Sequence, residues 1–250
     1  MVHKITCTII SMNEADRIGR TIESALAVSD EVVVIDSGST DDTVAIAKGL
    51  GATVIYNAWP GFGAQKRLAE DRASYDWVLN LDADEVLSEA LILEINEWKN
   101  NNKPEPYGYK FKQITVYPND EKPRPLADFH HYIRLYDRRK MRFADSLVHD
   151  AVEPKGCAIG MFTGDCLHYS WRSLEHLARK LDSYTTLQAK EIKKPAWQLR
   201  LRRPFEYPIL FIRYYFIRCH FTGGLYGLKS AHTIAKGRAA RIKKFLAAKS

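Results

Sequence analysis

Four short apolar runs, each ending in polar loop-forming residues and each separated from the next by a helical pattern, restrict the first hundred residues to few architectures. Ile5-Thr6-Cys7-Thr8-Ile9-Ile10 is β-branched and apolar and breaks into Ser11-Met12-Asn13-Glu14, after which Ile18, Ile22 and Leu26 recur at helical spacing. Glu31-Val32-Val33-Val34-Ile35 is followed by Asp36-Ser37-Gly38-Ser39-Thr40-Asp41-Asp42. There Ser39 and Asp42 have capping-box spacing ahead of Val44, Ala47 and Leu50, and Gly51 closes the helix. Residues 52–55 predict a third strand, 61–73 a third helix and 77–81 a fourth strand. Such alternation implies a parallel sheet with helices on both faces, whose ligands bind beyond the carboxyl ends of the strands. Asn13, Asp36 and Asp82 all fall at those ends.

The fourth run, Trp77-Val78-Leu79-Asn80-Leu81, closes on Asp82-Ala83-Asp84. Acids deep in a core cost several kcal/mol unless paired or on a metal, so the strand is expected to deliver them to a cleft. Two carboxylates one residue apart suit a hard divalent ion, Mg²⁺ or Mn²⁺, that keeps positions open for water and a diphosphate. The plainer alternative is a turn ahead of a helix capped by Ser88. No Gly-x-Gly-x-x-Gly follows the first strand and no Gly-Lys-Ser/Thr loop is present, which removes the dinucleotide and nucleoside-triphosphatase classes. Asp36 has the chemistry to accept a hydrogen bond from a base N–H, and Lys66 or Arg67 to meet phosphate oxygens.

Ile9-Ile10-Ser11-Met12-Asn13-Glu14, Val33-Val34-Ile35-Asp36-Ser37-Gly38-Ser39-Thr40-Asp41, Gln65-Lys66-Arg67 and Asn80-Leu81-Asp82-Ala83-Asp84-Glu85, in that order, resemble the glycosyltransferase family 2 module. The resemblance implies an α/β fold of the GT-A (Rossmann-like) type, a mixed sheet flanked by helices. It also implies a UDP-sugar donor and a divalent metal, Mn²⁺ or Mg²⁺. Carried onto this chain, it places Asn13, Glu14, Asp36, Ser37, Lys66 and Asp82 around the donor and Asp84 on the metal. Ser37 stands where the family usually has a second acid, and Lys66 where arginine is common, which keeps the charge but loses the planar fork.

Leu147-Val148-His149-Asp150 and Leu167-His168-Tyr169-Ser170, with the basic aromatic tail, resemble a subgroup, the WaaE/KdtX-like β-1,4-glucosyltransferases that add glucose to heptose of the lipopolysaccharide inner core. His-Asp here replaces the subgroup's His-Glu. Inverting transfer needs a base for the acceptor hydroxyl, and the resemblance assigns Asp150, with Glu153 as the alternative. His149 and His168 are both candidates for the metal shell or the diphosphate, and His168, after the strand-like Cys166-Leu167, is the better placed.

Residues 100–106, rich in Asn and Pro, end a helix carrying Leu91, Ile95 and Trp98 and mark a joint, giving a nucleotide-sugar half over 1–103 and an acceptor half over 104–192. Tyr107, Tyr109 and Phe111, then Ile133 and Leu135, alternate with more polar residues as in strands with one buried face. Residues 117–128 read as a mobile loop, and Arg134, Arg138, Arg139 and Arg142 as a solvated face or as holders of acceptor phosphates. A helix is expected over 173–191 with Ser173 as its cap.

The net charge of +7 is uneven: residues 193–250 hold 14 Lys and Arg against one acid, Glu206, and carry +13, leaving −6 on the other 192. Nine aromatic residues lie between Trp197 and Tyr226. Cations interleaved with rings suit an anionic bilayer surface, and Arg213 and Arg218 interrupt the run too often for a spanning helix. This helical basic, aromatic extension is therefore expected to lie on a membrane surface, and the subgroup resemblance implies that this is the cytoplasmic side of the inner membrane, near a lipid-linked oligosaccharide acceptor. Core packing, an oligomer contact and RNA are the rival uses, and no nucleic-acid-binding signature accompanies the charge. Four cysteines without Cys-x-x-Cys spacing and a start that runs directly into the first strand fit a reducing, cytoplasmic location. Two other functions are weighed. A haloacid-dehalogenase-type phosphohydrolase would use Asp82 as nucleophile but usually carries its motif on the first strand. A non-enzymatic basic membrane- or nucleic-acid-binding protein would use the tail alone.

Overall fold

β-Branched residues buried on both faces build β1 (Ile5–Ser11), in which every residue is buried. It is flanked by β2 (Glu31–Asp36) and the apolar β4 (Trp77–Asp82), both parallel to it. The structure is a computed structural model that describes residues 3–100, 106–144, 151–191 and 195–248. Between these strands lie α1 (Ile18–Leu26), α2 (Thr43–Gly49), β3 (Thr53–Tyr56) and α3 (Phe62–Arg72). β5 (Glu85–Leu87), α4 (Glu89–Asn100), β6 (Gly108–Thr115), β7 (Phe129–Asp137), the short β8 (Arg142–Phe143) and β9 (Val152–Glu153), and β10 (Ile159–His168) follow. Eight strands form one sheet in the order β3-β2-β1-β4-β7-β6-β10-β5, and β8 pairs with β9.

The first four strands are parallel as expected, and the sheet then becomes mixed because β7 runs antiparallel to both β4 and β6. Ile18, Ile22, Leu91, Ile95 and Trp98 cover one face of the sheet over Ile9, Leu79 and Leu81. Phe62, Leu68 and Ala69 of α3 cover Ile10, Val33 and Ile35 on the other. Each fully buried Ile or Leu contributes about 1.5–3 kcal/mol. Register brings the functional ends together: Ser11 lies beside Asp36 and Ile10 beside Asp82.

Several local expectations hold and several need correction. Ser88 caps α4 by accepting the Leu91 amide at 3.3 Å, and Gly51 ends α2 with φ +85°. The expected capping box at Ser39 and Asp42 does not form. Asp41 instead accepts the Thr43 amide at 3.1 Å, because Ser39 is spent on Asp36 and Asn13. The one-sided alternation expected of β7 also fails: Arg134, Leu135, Tyr136 and Asp137 are all buried. Both faces are covered there: Leu135 packs in the core with Leu91 and Trp98, and Tyr136 packs with Ala73, Met141 and Phe143.

Residues Met1–Ile114 and Phe129–His168 make one compact unit, and Thr115–Asp128 with Tyr169–Ser250 a second. In the second, α5 (Leu174–Glu191), α6 (Ala196–Ile212), a π-helical turn (Arg213–Ile217), a 3-10 turn (His220–Gly223) and α7 (Gly224–Ala248) pack as helices. Ser173 caps α5 by accepting the His176 amide at 3.1 Å. Gly237 lets α7 approach α5, since a Cβ there would stand 2.9 Å from Leu181 Cβ. Residues 117–128, expected as a mobile loop, form no helix or strand, and part of the segment packs within this unit. Tyr117 and Arg124 are buried, the Tyr117 hydroxyl meets His220 Nδ1 at 2.6 Å, and Arg124 donates to Asp128 and to the Arg218 carbonyl. Burial holds the His220 imidazolium form down, lowering its pKa to about 4, so the ring is neutral at neutral pH.

Glu70 of α3 is fully buried and accepts from the Tyr136 hydroxyl (2.8 Å), the Phe143 amide (3.0 Å) and Arg142 Nε (2.7 Å). Glu70→Ala is expected to lower stability by about 3 kcal/mol by stranding these buried donors, read as a drop of roughly 10 °C in thermal unfolding. Glu70→Gln, which keeps acceptors in place, is expected to lose less. Equal melting of wild type and Glu70→Ala would show that the cluster contributes nothing.

Candidate active site

Beyond the carboxyl ends of β1 and β2, two loops are tied together by side chains. Asp36, buried at the end of β2, accepts through Oδ1 from the amides of Gly38 (2.9 Å) and Ser39 (2.8 Å), and through Oδ2 from the hydroxyls of Ser11 (2.9 Å) and Ser39 (2.5 Å). Burial alone would raise its pKa, but these hydrogen bonds hold it below the usual carboxylate value. A carboxylate offers about four acceptor positions, so Asp36 spends them on shaping its own loop. A base N–H brought to Asp36 would have to share or displace one of these donors. Asn13 adopts φ +56°, and its Oδ1 accepts the Thr40 amide at 2.8 Å while its own amide donates to Ser39 Oγ at 2.8 Å. The Glu14 amide donates to Thr43 Oγ1 at 2.7 Å, and its carboxylate pairs with Arg17. Ser37 Oγ accepts from Gln65 Nε2 at 3.0 Å.

The β4–β5 turn rests on a buried guanidinium. Arg134 of β7 donates to Asn80 Oδ1 (2.8 Å), Asp82 Oδ2 (3.1 Å) and Glu85 Oε1 (2.7 Å). Lys66, with no exposed surface, places Nζ 2.8 Å from Asp82 Oδ1 and 5.2 Å from the Phe143 ring centroid. Burial opposes ionisation of Asp82, yet Lys66 and Arg134 outweigh it and hold its pKa well below the ordinary value. Glu85 goes the other way. Full burial, with the neighbouring Asp82 charge and against Arg134, raises it to about 7. Its Oε2 accepts the Asp82 amide at 3.1 Å and its Oε1 also takes a bond from Gln113, so Glu85 clamps the turn from beneath.

Asp84, buried but for its rim, places Oδ1 3.4 Å from His168 Nε2 and Oδ2 3.5 Å from Arg17 Nη1. His168 ends β10 opposite Glu85 in the ladder, so strand pairing brings the imidazole to the turn. Among the described residues no group of three or more His, Cys, Asp or Glu side chains is gathered to hold an ion. The Asp84 and His168 donors nevertheless fit Mg²⁺ or Mn²⁺, since cis ligand atoms of an octahedral ion stand roughly 3 Å apart. Such ions take few protein ligands and keep waters or phosphates on the rest.

His149 and Asp150 lie outside the described residues. Glu153 is exposed on β9, opposite Arg142. His130 and His131 are exposed at the start of β7. The arginines expected on a solvated face are engaged: Arg138 with the Glu70 carbonyl, Arg139 with Asp137 and Asp76, Arg142 with Glu70 and Asp71. Arg17 and Gln113 belong to the site region without any signal in the sequence, Gln65 and Glu85 stand in the matching segments without an assigned role, and Arg134, expected on a solvated face or on acceptor phosphates, is buried against Asn80, Asp82 and Glu85 instead. Arg134 gave one signal, a charge inside a run that becomes wholly buried.

Glu85 predicts a pH signature. Because its folded pKa, about 7, exceeds its ordinary value of 4.5, the folded state binds the extra proton, and lowering pH through that window stabilises it. Wild type is expected to gain stability relative to Glu85→Gln between about pH 8 and pH 5. Parallel denaturant-unfolding curves for the two proteins across that range would remove Glu85 as the titrating group.

The glycosyl transferase family 2 model matches residues 6–162. An uncharacterized glycosyltransferase of Rickettsia conorii is 37% identical over 98% of this chain and 90% of its own length. The lipopolysaccharide core biosynthesis glycosyltransferase LpsC of Rhizobium meliloti is 30% identical over 89% of this chain and 82% of its own. A solved mycobacterial protein overlaps more loosely, with TM-score 0.48 and 20% identity over 75% of this chain and 74% of that one. The family model and the two sequence relatives leave no place for the phosphohydrolase reading: the chain belongs to glycosyl transferase family 2 and has the mixed, helix-flanked sheet of the GT-A fold.

Proposed function

We propose that this family 2 enzyme is a metal-dependent inverting transferase that moves a hexose, glucose first among candidates, from a UDP-sugar to a heptose of the lipopolysaccharide inner core in a β-1,4 linkage. Its place of work in this reading is the cytoplasmic face of the inner membrane, on a lipid-linked acceptor. The observation that carries the chemistry is the convergence of Asp84 and His168 at the rim where the Asn13–Glu14 and Asp36–Ser37 loops and the Asp82 turn also emerge. Similarity to LpsC, at 30% identity, supports an acceptor from the lipopolysaccharide core. Glucose and the linkage rest on the subgroup resemblance of the His149-Asp150 and His168 segments.

When bound, a divalent cation supplies Lewis-acid neutralisation of the departing diphosphate. Asp84 and His168 hold it. Asn13, Glu14, Asp36 and Ser37 form the wall for the nucleoside, with Asp36 keeping the loop amides in place. Lys66 and Arg134 keep Asp82 ionised and the turn fixed. Asp150 takes the proton from the acceptor hydroxyl as its oxygen attacks the anomeric carbon in a single displacement, with Glu153 the alternative base.

UDP with Mn²⁺ is expected to raise the melting temperature, EDTA to cancel the metal-dependent part, and Asp84→Asn to lack it. Equal shifts in all three conditions would reject a metal-bridged diphosphate. In a transfer assay Asp150→Asn is expected to lower kcat roughly 10²–10⁴-fold with donor affinity retained. If Glu153→Gln shows that loss instead, the base is Glu153.

A further inference from the structure

We propose that α6 and the π-helical turn after it form the lipid-contacting face of the chain, lying flat on an anionic bilayer surface through one stripe: Trp197, Leu201, Phe205, Ile209, Ile212 and Phe216. This rests on the membrane reading above and assigns its contact surface. Steps of three and four residues put all six side chains on one side of a helix. All are more than half exposed, Trp197 and Phe205 at 62% each. The opposite side carries Leu199, Glu206 and Leu210, which are buried. The stripe extends roughly 30 Å at 1.5 Å per residue. An unbroken apolar row of this size on the surface is a contact site rather than ordinary surface variation.

Charge selects the occupant. Arg200, Arg203 and Arg213 are exposed on the same helical stretch, within a segment carrying +13. Its single acid, Glu206, is buried and paired with Arg202 at 2.5 Å, with Arg241 3.7 Å away. A second copy would bring +13 against +13. Anionic headgroups instead meet the arginines while acyl chains take the stripe. Pro204 and Pro208 fix the depth: neither has an N–H to give to the carbonyls of Arg200 and Pro204. Those carbonyls keep partners at the hydrated headgroup level and lose them in hydrocarbon. Consistently, no helix among the described residues is long and apolar enough to cross a membrane. Tyr214 and Tyr226 are not part of the stripe, since they pack with Tyr117, Trp171 and Ile234.

The test uses the full chain and flotation with vesicles of phosphatidylcholine containing or lacking phosphatidylglycerol. Wild type is expected to float with the anionic vesicles, and Phe205→Ser/Ile209→Ser to lose roughly tenfold or more of that partition. The variant should keep the melting temperature and the UDP-Mn²⁺ shift, since both sites are exposed. Wild-type flotation unchanged by the double substitution overturns the stripe while leaving the membrane reading intact. No wild-type flotation overturns both. A stripe-dependent dimer in analytical ultracentrifugation, or stripe-dependent binding of a single-stranded oligonucleotide, also overturns the proposal.

Discussion

The guanidinium of Arg134 is the point on which the carboxylate turn depends. It reaches from the middle of β7 to Asn80, Asp82 and Glu85, bonding the last residues of β4 to the first of β5. Two carboxylates that close would repel each other in a low-dielectric interior. The cation between them, with Lys66 on the far side of Asp82, lets one stay ionised and sends the proton to the other. The order follows from surroundings: Asp82 has two cations and partial exposure, and Glu85 has one and none.

Much of the parallel part of the sheet and its helices was legible in the sequence because local signals and burial agree there. Runs such as Val32–Ile35 are apolar, short and bounded by loop residues, and Ser88 and Ser173 cap the helices they precede. Reading failed where tertiary context decides. Ser39 has the spacing of a cap but is drawn to Asp36 and Asn13, contacts across 3 and 26 residues. Arg134 looks like the solvent-facing half of an alternating strand until Asn80, Asp82 and Glu85 take its guanidinium. Pro-rich residues 117–128 read as loose, yet Tyr117 and Arg124 are buried and bond to His220 and the Arg218 carbonyl about a hundred residues away.

The site itself was partly legible for the same reason. Asp36, Asp82 and Asp84 sit at strand ends that periodicity locates, and His168 reaches Asp84 because β10 pairs with β5, which no local pattern announces. The supporting shell was hidden. Glu85 follows the motif directly but declares its role only through burial and the Gln113 and Arg134 bonds.

Lys66 carries one more consequence. An ammonium sealed from solvent is beyond the reach of mobile counterions, whose screening length shrinks from ~10 Å at 0.1 M to ~3 Å at 1 M salt without entering the protein interior. Its hold on Asp82, across 2.8 Å, is thus screened far less by the electrolyte than a surface pair would be. The exposed arginines of the carboxyl-terminal segment have no such shelter. One polypeptide therefore contains an ionic lock that brine loosens little and a cationic surface whose reach the same brine curtails.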